Sequence, residues 1–336
     1  MKDDPLKILI IGPSWVGDMV MAQSLFIVIK QQHPNCLIDV VAPSWSLPLL
    51  ERMPEVHQAV GMQLGHGEFG LLARFKIGRK LARNAYAQAI VLPNSWKSAL
   101  IPFFARIPRR TGYLGELRWG LLNDAYKLDK TRLTMTVQRF VALAFAKSTA
   151  SFSAYPSPQL TTSLELQTSA SQKFGLGKQP LLALCPGAEY GPAKRWPVAH
   201  FAEVARRKHS EGWQIGLFGS EKDYAVCAEI NALSDNICHN FAGKTQLHEA
   251  VDLLSLASVV ISNDSGLMHI AAALGKKLIA IYGSSDPSFT PPLNSKATIL
   301  QLHLPCAPCF KRVCPLQHTR CLTELSPATV LAAMAA

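Results

Sequence analysis

Ser258–Tyr282 reads SVVISNDSGLMHIAAALGKKLIAIY. Its first five residues, Ser258–Ser262, have the unbroken β-branched and apolar character of a buried strand. The apolar run Leu267–Leu274, stopped by Gly275, predicts a short helix. Asn263, Asp264, Ser265 and Gly266 lie between them, so the chain turns from a strand into a helix within four small residues. A helix start presents unpaired backbone N–H groups and a partial positive charge, so such a turn can hold a phosphate against the backbone. His269 follows Ser265 by four residues and is predicted to face the same way as the turn. The plainer reading leaves Asp264 as a helix cap and His269 as a packed or solvent-facing side chain.

Working outward, the same alternation recurs. Lys7–Ile11 is a short strand-like run, and the loop Gly12–Asp18 (GPSWVGD) leads into a helical pattern through Lys30, with Val20, Leu25, Val28 and Ile29 on one face. That loop lacks the G-x-G-x-x-G spacing of a dinucleotide fingerprint, which argues against a nicotinamide or flavin enzyme. Asp18 stands where the loop meets the helix, where α/β proteins place ligands and chemistry. Leu37–Val41 and Ala89–Leu92 read as strands, and Leu71–Asn84, Ser95–Ala105 and Thr134–Lys147 as helices. From Ser148 to Leu164 the chain carries no charge and is rich in Ser, Thr and Pro, which predicts a domain boundary. The alternation then restarts: strands at Leu181–Cys185 and Gln214–Phe218, helices at Val198–His209, Lys222–Leu233 and Leu247–Leu256, and a tail helix over 326–336. Two doubly wound, mostly parallel α/β domains follow, over 1–155 and 165–325, with strand-end loops expected on either side of a cleft.

Hydrophobic residues make up 49% of the 336 and charged residues 17%, which suits a globular chain with a large core. No apolar run reaches the roughly 18 residues of a membrane span. The start Met1–Pro5 is short and polar, so a cytoplasmic chain without a signal peptide is expected. The net charge of +11 is uneven: residues 1–150 hold 19 basic against 10 acidic residues, and 151–336 hold 15 against 13. In the first half Arg74, Lys76, Arg79, Lys80, Arg83, Lys97, Arg106, Arg109, Arg110 and Arg118 interleave with Phe69, Phe75, Trp96, Phe103, Phe104 and Trp119. That pattern suits an anionic membrane face, a phosphorylated acceptor or nucleic acid, although no RNA- or DNA-binding module is recognisable. A solvated basic face is the alternative.

Cys185–Pro197 (CPGAEYGPAKRWP) offers two glycines after a strand and the adjacent cations Lys194 and Arg195, a pattern able to clamp a diphosphate. Near the end, Cys306, Cys309, Cys314 and Cys321, four of eight cysteines, fall within 16 residues. In a cytoplasmic chain such clustering favours a structural zinc over disulfides, with reduced thiols as the alternative.

Four pieces in this order, GPSWVGDMVM with Asp18, PGAEYGPAKRWP with Lys194, FGSEKD with Glu221 and NDSGLMHIAAALGKK with Asp264 and His269, resemble the ADP-heptose:lipopolysaccharide heptosyltransferases of Gram-negative bacteria. The similarity covers nearly the whole chain, and the PGAEYGPAKRWP form with the cysteine-rich tail looks most like the heptosyltransferase II branch. The resemblance implies a GT-B fold of two Rossmann-like domains, the first binding the acceptor and the second ADP-L-glycero-β-D-manno-heptose. It implies inverting transfer of heptose to the first heptose of a Kdo-lipid A acceptor, with the enzyme peripheral at the cytoplasmic face of the inner membrane. Asp18 then becomes the general base and Lys194 the cation on the leaving ADP, with Glu221, Thr245, Asp264, Ser265, Gly266 and His269 on the nucleotide sugar and no cofactor or catalytic metal. The chain departs from heptosyltransferase I at Glu189 and Tyr190, where that branch carries small hydroxyl residues. Other readings are a related transferase such as heptosyltransferase I or III, one using another nucleotide sugar, or a non-catalytic nucleotide-sugar-binding protein.

Overall fold

The computed structural model of the chain describes residues 5–64, 68–145 and 155–335. It divides into two compact units, Met1–Pro158 and Gln159–Ala336. Of the charge-free stretch Ser148–Leu164, residues 148–154 lie outside the described residues, as do 146–147 of the helix expected over Thr134–Lys147.

The first unit runs β1 (Lys7–Ile11), α1 (Val16–Gln32), β2 (Leu37–Pro43), α2 (Leu47–Leu50), β3 (Val56–Met62), α3 (Leu71–Leu81), β4 (Gln88–Val91), α4 (Leu100–Phe104), β5 (Arg109–Tyr113), β6 (Asp124–Tyr126) and α5 (Thr136–Ala142). Its six strands form one parallel sheet in the order β3-β2-β1-β4-β5-β6. The order reverses between β1 and β4, and Asp18 belongs to the segment leaving β1. The sequence predicts a single buried face for α1, but ten of its residues, Met19 to Ile29 with one exception, are buried. The polar ones among them are satisfied: Gln23 donates to Glu55 Oε2 at 2.9 Å and Ser24 to the Pro156 carbonyl at 2.7 Å. A helix buried all round has to satisfy such groups internally.

The second unit runs α6 (Leu164–Lys173), β7 (Leu181–Cys185), α7 (Val198–Ser210), β8 (Gln214–Leu217), α8 (Tyr224–Leu233), β9 (Cys238–Asn240), α9 (Leu247–Leu256), β10 (Val259–Asn263), α10 (Gly266–Ala273), β11 (Lys277–Tyr282), β12 (Ala297–Gln301), α11 (Arg320–Thr323) and α12 (Pro327–Ala335). Its sheet is again parallel, in the order β12-β11-β10-β7-β8-β9. The central strands β7 and β10 are buried at every residue, as a sheet covered on both faces requires. Two of the helices start on recognisable caps: Ser163 Oγ accepts from Leu166 N at 3.3 Å for α6, and Glu249 returns to the Gln246 N–H at 2.8 Å for α9. Trp196 and Phe201 pack with Leu184, Leu217 and Ile261 in the core.

The cations of the first unit divide into two groups. Arg118 is fully buried and donates to the Pro93 carbonyl at 2.7 Å, to Ser98 Oγ and Asn94 Oδ1 at 3.3 Å each, and to the Tyr113 carbonyl. Arg74 is buried with its Nε on the Phe69 carbonyl at 2.7 Å, Arg109 pairs with Asp124 at 2.8 Å, and Arg110 donates to Leu121 and Ile107. These four tie strands and loops of the unit together, so the expected basic surface contracts to Lys76, Arg79, Lys80, Arg83 and Arg106, with Lys97 half-buried beside them.

Candidate active site

In a doubly wound sheet the strand-end loops diverge where the strand order reverses, and ligands bind there. In the second unit that point lies between β7 and β10, whose outgoing segments are the Pro186–Pro197 loop and the Asp264–Ser265 turn. Lys194 closes a 3₁₀ turn, Pro192–Lys194, and its ammonium reaches Asp264 Oδ2 at 2.5 Å. Asp264 is therefore not a helix cap: Ser265 holds that position for α10, and no side-chain capping bond forms there. Asp264 is almost fully buried and Lys194 largely so, so each neutralises a charge that would be costly alone. Ser265, Gly266 and Leu267 stay half-exposed, which leaves the first N–H groups of α10 open to an anion.

His269, one turn further along α10, is 5% exposed. Burial pushes its pKa down to about 4, helped by the Lys194 charge and opposed by Asp264. It is therefore neutral at pH 7, and the charged groups of this cluster are Lys194 and Asp264.

Asn263, which the sequence reading leaves without a role, joins the two loops. It is fully buried, its Oδ1 accepts from Trp196 N at 3.1 Å and its Nδ2 donates to the Pro186 carbonyl at 2.7 Å. A polar residue closing a strand of apolar residues was the available signal. Asp223 does related work nearby: Oδ2 accepts from Ser220 N at 3.0 Å and Ser220 Oγ at 2.8 Å, and Oδ1 lies 3.9 Å from Arg195. It braces the turn that carries Glu221.

Glu221 and Thr245 leave the ends of β8 and β9. Glu221 is exposed, with its Cα and Cβ close against Gly243, whose φ of +69° favours glycine. Thr245 is half-exposed, its Oγ1 donating to the Phe241 carbonyl at 3.3 Å. In the first unit Asp18 is the third residue of α1, part-exposed at the positive end of the helix.

Residues 74–320 match the family model described as Glycosyltransferase family 9 (heptosyltransferase). The chain belongs to this family. It is 50% identical over 308 residues to lipopolysaccharide heptosyltransferase 2 of Salmonella typhimurium, covering 88% of each chain. With lipooligosaccharide heptosyltransferase 2 of Haemophilus influenzae it shares 52% over 309 residues, covering 88% of this chain and 89% of the other. The solved structure of Escherichia coli ADP-heptose lipopolysaccharide heptosyltransferase II superposes with a TM-score of 0.88 at 44% identity over 98% of both chains. Like these heptosyltransferases, the chain is an α/β protein of the GT-B fold.

The cysteine-rich segment of this family-9 chain holds four free thiols, Cys306, Cys309, Cys314 and Cys321. They line one pocket together with His318, Ala193 and Ser284. Among the described residues, no three or more His, Cys, Asp or Glu side chains stand so as to hold a metal ion.

Proposed function

We propose that this glycosyltransferase moves L-glycero-D-manno-heptose from ADP-heptose to the first heptose of the lipopolysaccharide inner core, the heptosyltransferase II reaction. The observation that carries this is the Lys194–Asp264 pair beside the open start of α10 at the strand-order reversal, in a chain half identical to lipopolysaccharide heptosyltransferase 2 over 88% of its length. The second unit is assigned the donor. Lys194 and the N–H groups at Ser265 and Gly266 take the diphosphate, Glu221 and Thr245 the nucleoside side, and Asp264 orients Lys194, while neutral His269 lies one turn further along α10 on the nucleotide-sugar side.

The first unit is assigned the acceptor. An acceptor hydroxyl oxygen attacks the anomeric carbon, the bond from that carbon to the phosphate oxygen breaks with its electron pair going to ADP, and the configuration inverts. Asp18 accepts the hydroxyl proton, a role worth about 10²- to 10⁴-fold. Lys194 and the head of α10 meet the charge growing on ADP, the work a divalent ion does in other transferases. No metal cofactor enters this scheme.

The acceptor is a lipid, and one surface of the first unit suits an anionic membrane. Phe69, Leu71, Leu72, Phe75, Trp96 and Phe103 are exposed, Leu72 to 75%, beside the exposed cations of α3. Phe69 stacks on Trp96 at 5.7 Å between ring centroids. Apolar side chains flanked by Lys and Arg bind at an anionic interface by burial and attraction together. Among the described residues no helix is long and apolar enough to cross a membrane. This apolar and cationic surface supports placing the enzyme peripherally at the cytoplasmic face of the inner membrane.

The test is transfer from ADP-heptose to a Kdo-lipid A acceptor bearing one heptose, run in EDTA beside UDP- and GDP-sugar controls. Transfer confined to ADP-heptose and unaffected by EDTA is expected. Transfer only from another nucleotide sugar, or only to an acceptor without heptose, would reassign the enzyme within the family. ADP-heptose binding without any transfer would favour a non-catalytic binder.

A further inference from the structure

The cysteine-rich segment is stitched to the Lys194 loop. Ala193 N donates to the Arg312 carbonyl at 3.1 Å, Tyr190 Oη donates to the Phe310 carbonyl at 2.7 Å, and Phe310 N donates to the Ser284 carbonyl at 2.7 Å. Gly191 sits at the closest approach, with φ at +155°, and a Cβ there would lie 2.5 Å from the Arg312 carbonyl oxygen. No larger residue fits that approach without moving the backbone. The four thiols line a pocket that Ala193 and Ser284 of this seam also line.

The seam sets two cations on one aromatic ring. Lys194 Nζ lies 5.0 Å and the Arg312 guanidinium carbon 5.1 Å from the Tyr190 ring centroid. Lys194 has its carboxylate in Asp264, whereas Arg312 is exposed and has no carboxylate partner among the described residues. With His269 neutral, the cluster of Lys194, Arg312 and Asp264 carries one net positive charge. Two cations sharing a ring repel each other, and an anion bound beside them relieves that repulsion. A guanidinium seated on an aromatic face keeps its N–H fork free for two phosphate oxygens.

The geometry points to Arg312 as a second diphosphate-binding cation of the donor site, with Tyr190 as the positioning residue that holds it on the ring Lys194 also meets. The segment holding the cysteines is then the wall that delivers Arg312. This rests on the reading of the Lys194 loop as the diphosphate site. It also gives a physical role to Tyr190, where the chain departs from heptosyltransferase I.

Titration calorimetry with ADP, AMP and adenosine on the full-length chain separates a diphosphate contact from a structural one. Arg312→Ala is expected to weaken ADP about tenfold, the size of one charge-assisted bond, while adenosine binding stays within twofold. Arg312→Lys should recover part of the loss, Tyr190→Phe should keep ADP affinity within about threefold, and Tyr190→Leu should behave like Arg312→Ala. Thermal melts of each variant verify folding. If Arg312→Ala binds ADP like the parent, or loses ADP and adenosine equally, the inference fails while the diphosphate reading stands. If the parent binds no ADP, both fail.

Discussion

The Lys194 ammonium and the Asp264 carboxylate meet at 2.5 Å across 70 residues of sequence, joining the loop after β7 to the turn after β10. The pair brings a cation to the head of a helix, so a bound anion meets both in one place. Asp264 also fixes where Lys194 can reach, because a lysine on a flexible stem is directed by the groups its ammonium meets, here the Asp264 carboxylate and the Tyr190 ring.

Replacing Lys194 with alanine therefore does two separable things. Turnover should fall by about 10²- to 10³-fold, the size of losing one preorganised charge on a leaving group, with donor affinity weakened as well. The variant should also melt lower, because Asp264 is left buried without its cation. Steady-state kinetics and a thermal melt read the two effects. Unchanged turnover would move the diphosphate clamp elsewhere.

Asp18→Asn keeps the size and the hydrogen-bonding oxygen of the side chain but cannot accept a proton. Its transfer rate should drop by about 10²- to 10⁴-fold while ADP affinity stays at the parental value, since the residue lies on α1 of the first unit and the donor is assigned to the second. Calorimetry with ADP alongside a transfer assay checks the split. A variant that transfers at full rate would remove Asp18 from the mechanism.

His269 gives the fold a pH dependence of known sign. Its pKa is about 4 in the folded chain against 6.5 for an unperturbed histidine, so the unfolded state binds the proton first as pH falls. The stability it contributes is whole above pH 6.5 and declines between about 6.5 and 4, by at most about 3 kcal/mol. Melting temperatures across that range should fall less steeply for His269→Gln than for the parent. Parallel curves would show that the histidine titrates normally.

What was legible in the sequence follows from burial. β7, α9 and β10 were readable because they are continuous apolar runs or helices with marked ends, and α9 spans Leu247–Leu256 as its pattern predicts. Strands β3, β5, β6, β9 and β12 were not read, because strands at or near a sheet edge are only partly buried and carry polar residues that break an apolar period, and β11, buried from Leu278 to Tyr282, was not separated from the helix before it. Lys194 and Asp264 could each be named from their loops, but their pairing is a tertiary fact that no spacing reveals. Arg74 and Arg118 were misread as surface cations because composition does not show that the chain folds back over each side chain: Arg74 is satisfied by the Phe69 and Glu68 carbonyls just before it, and Arg118 by Tyr113 together with the Pro93–Ser98 segment.

Arg118 makes that last point measurable. Its guanidinium is sealed in the first unit and ties Pro93, Asn94 and Ser98, which follow β4, to Tyr113 at the end of β5. Lysine lacks the planar fork needed to serve several acceptors at once, and alanine removes the shared partner of the Pro93 and Tyr113 carbonyls and leaves a void in the core of the unit. Arg118→Ala should cost about 3 kcal/mol or more in urea unfolding, and Arg118→Lys should recover little of it. Arg83→Gln, on the exposed face of the same unit, should shift stability by no more than about 0.5 kcal/mol while weakening binding to anionic vesicles. Equal effects of the two changes on stability would contradict the division of these cations into structural and surface groups.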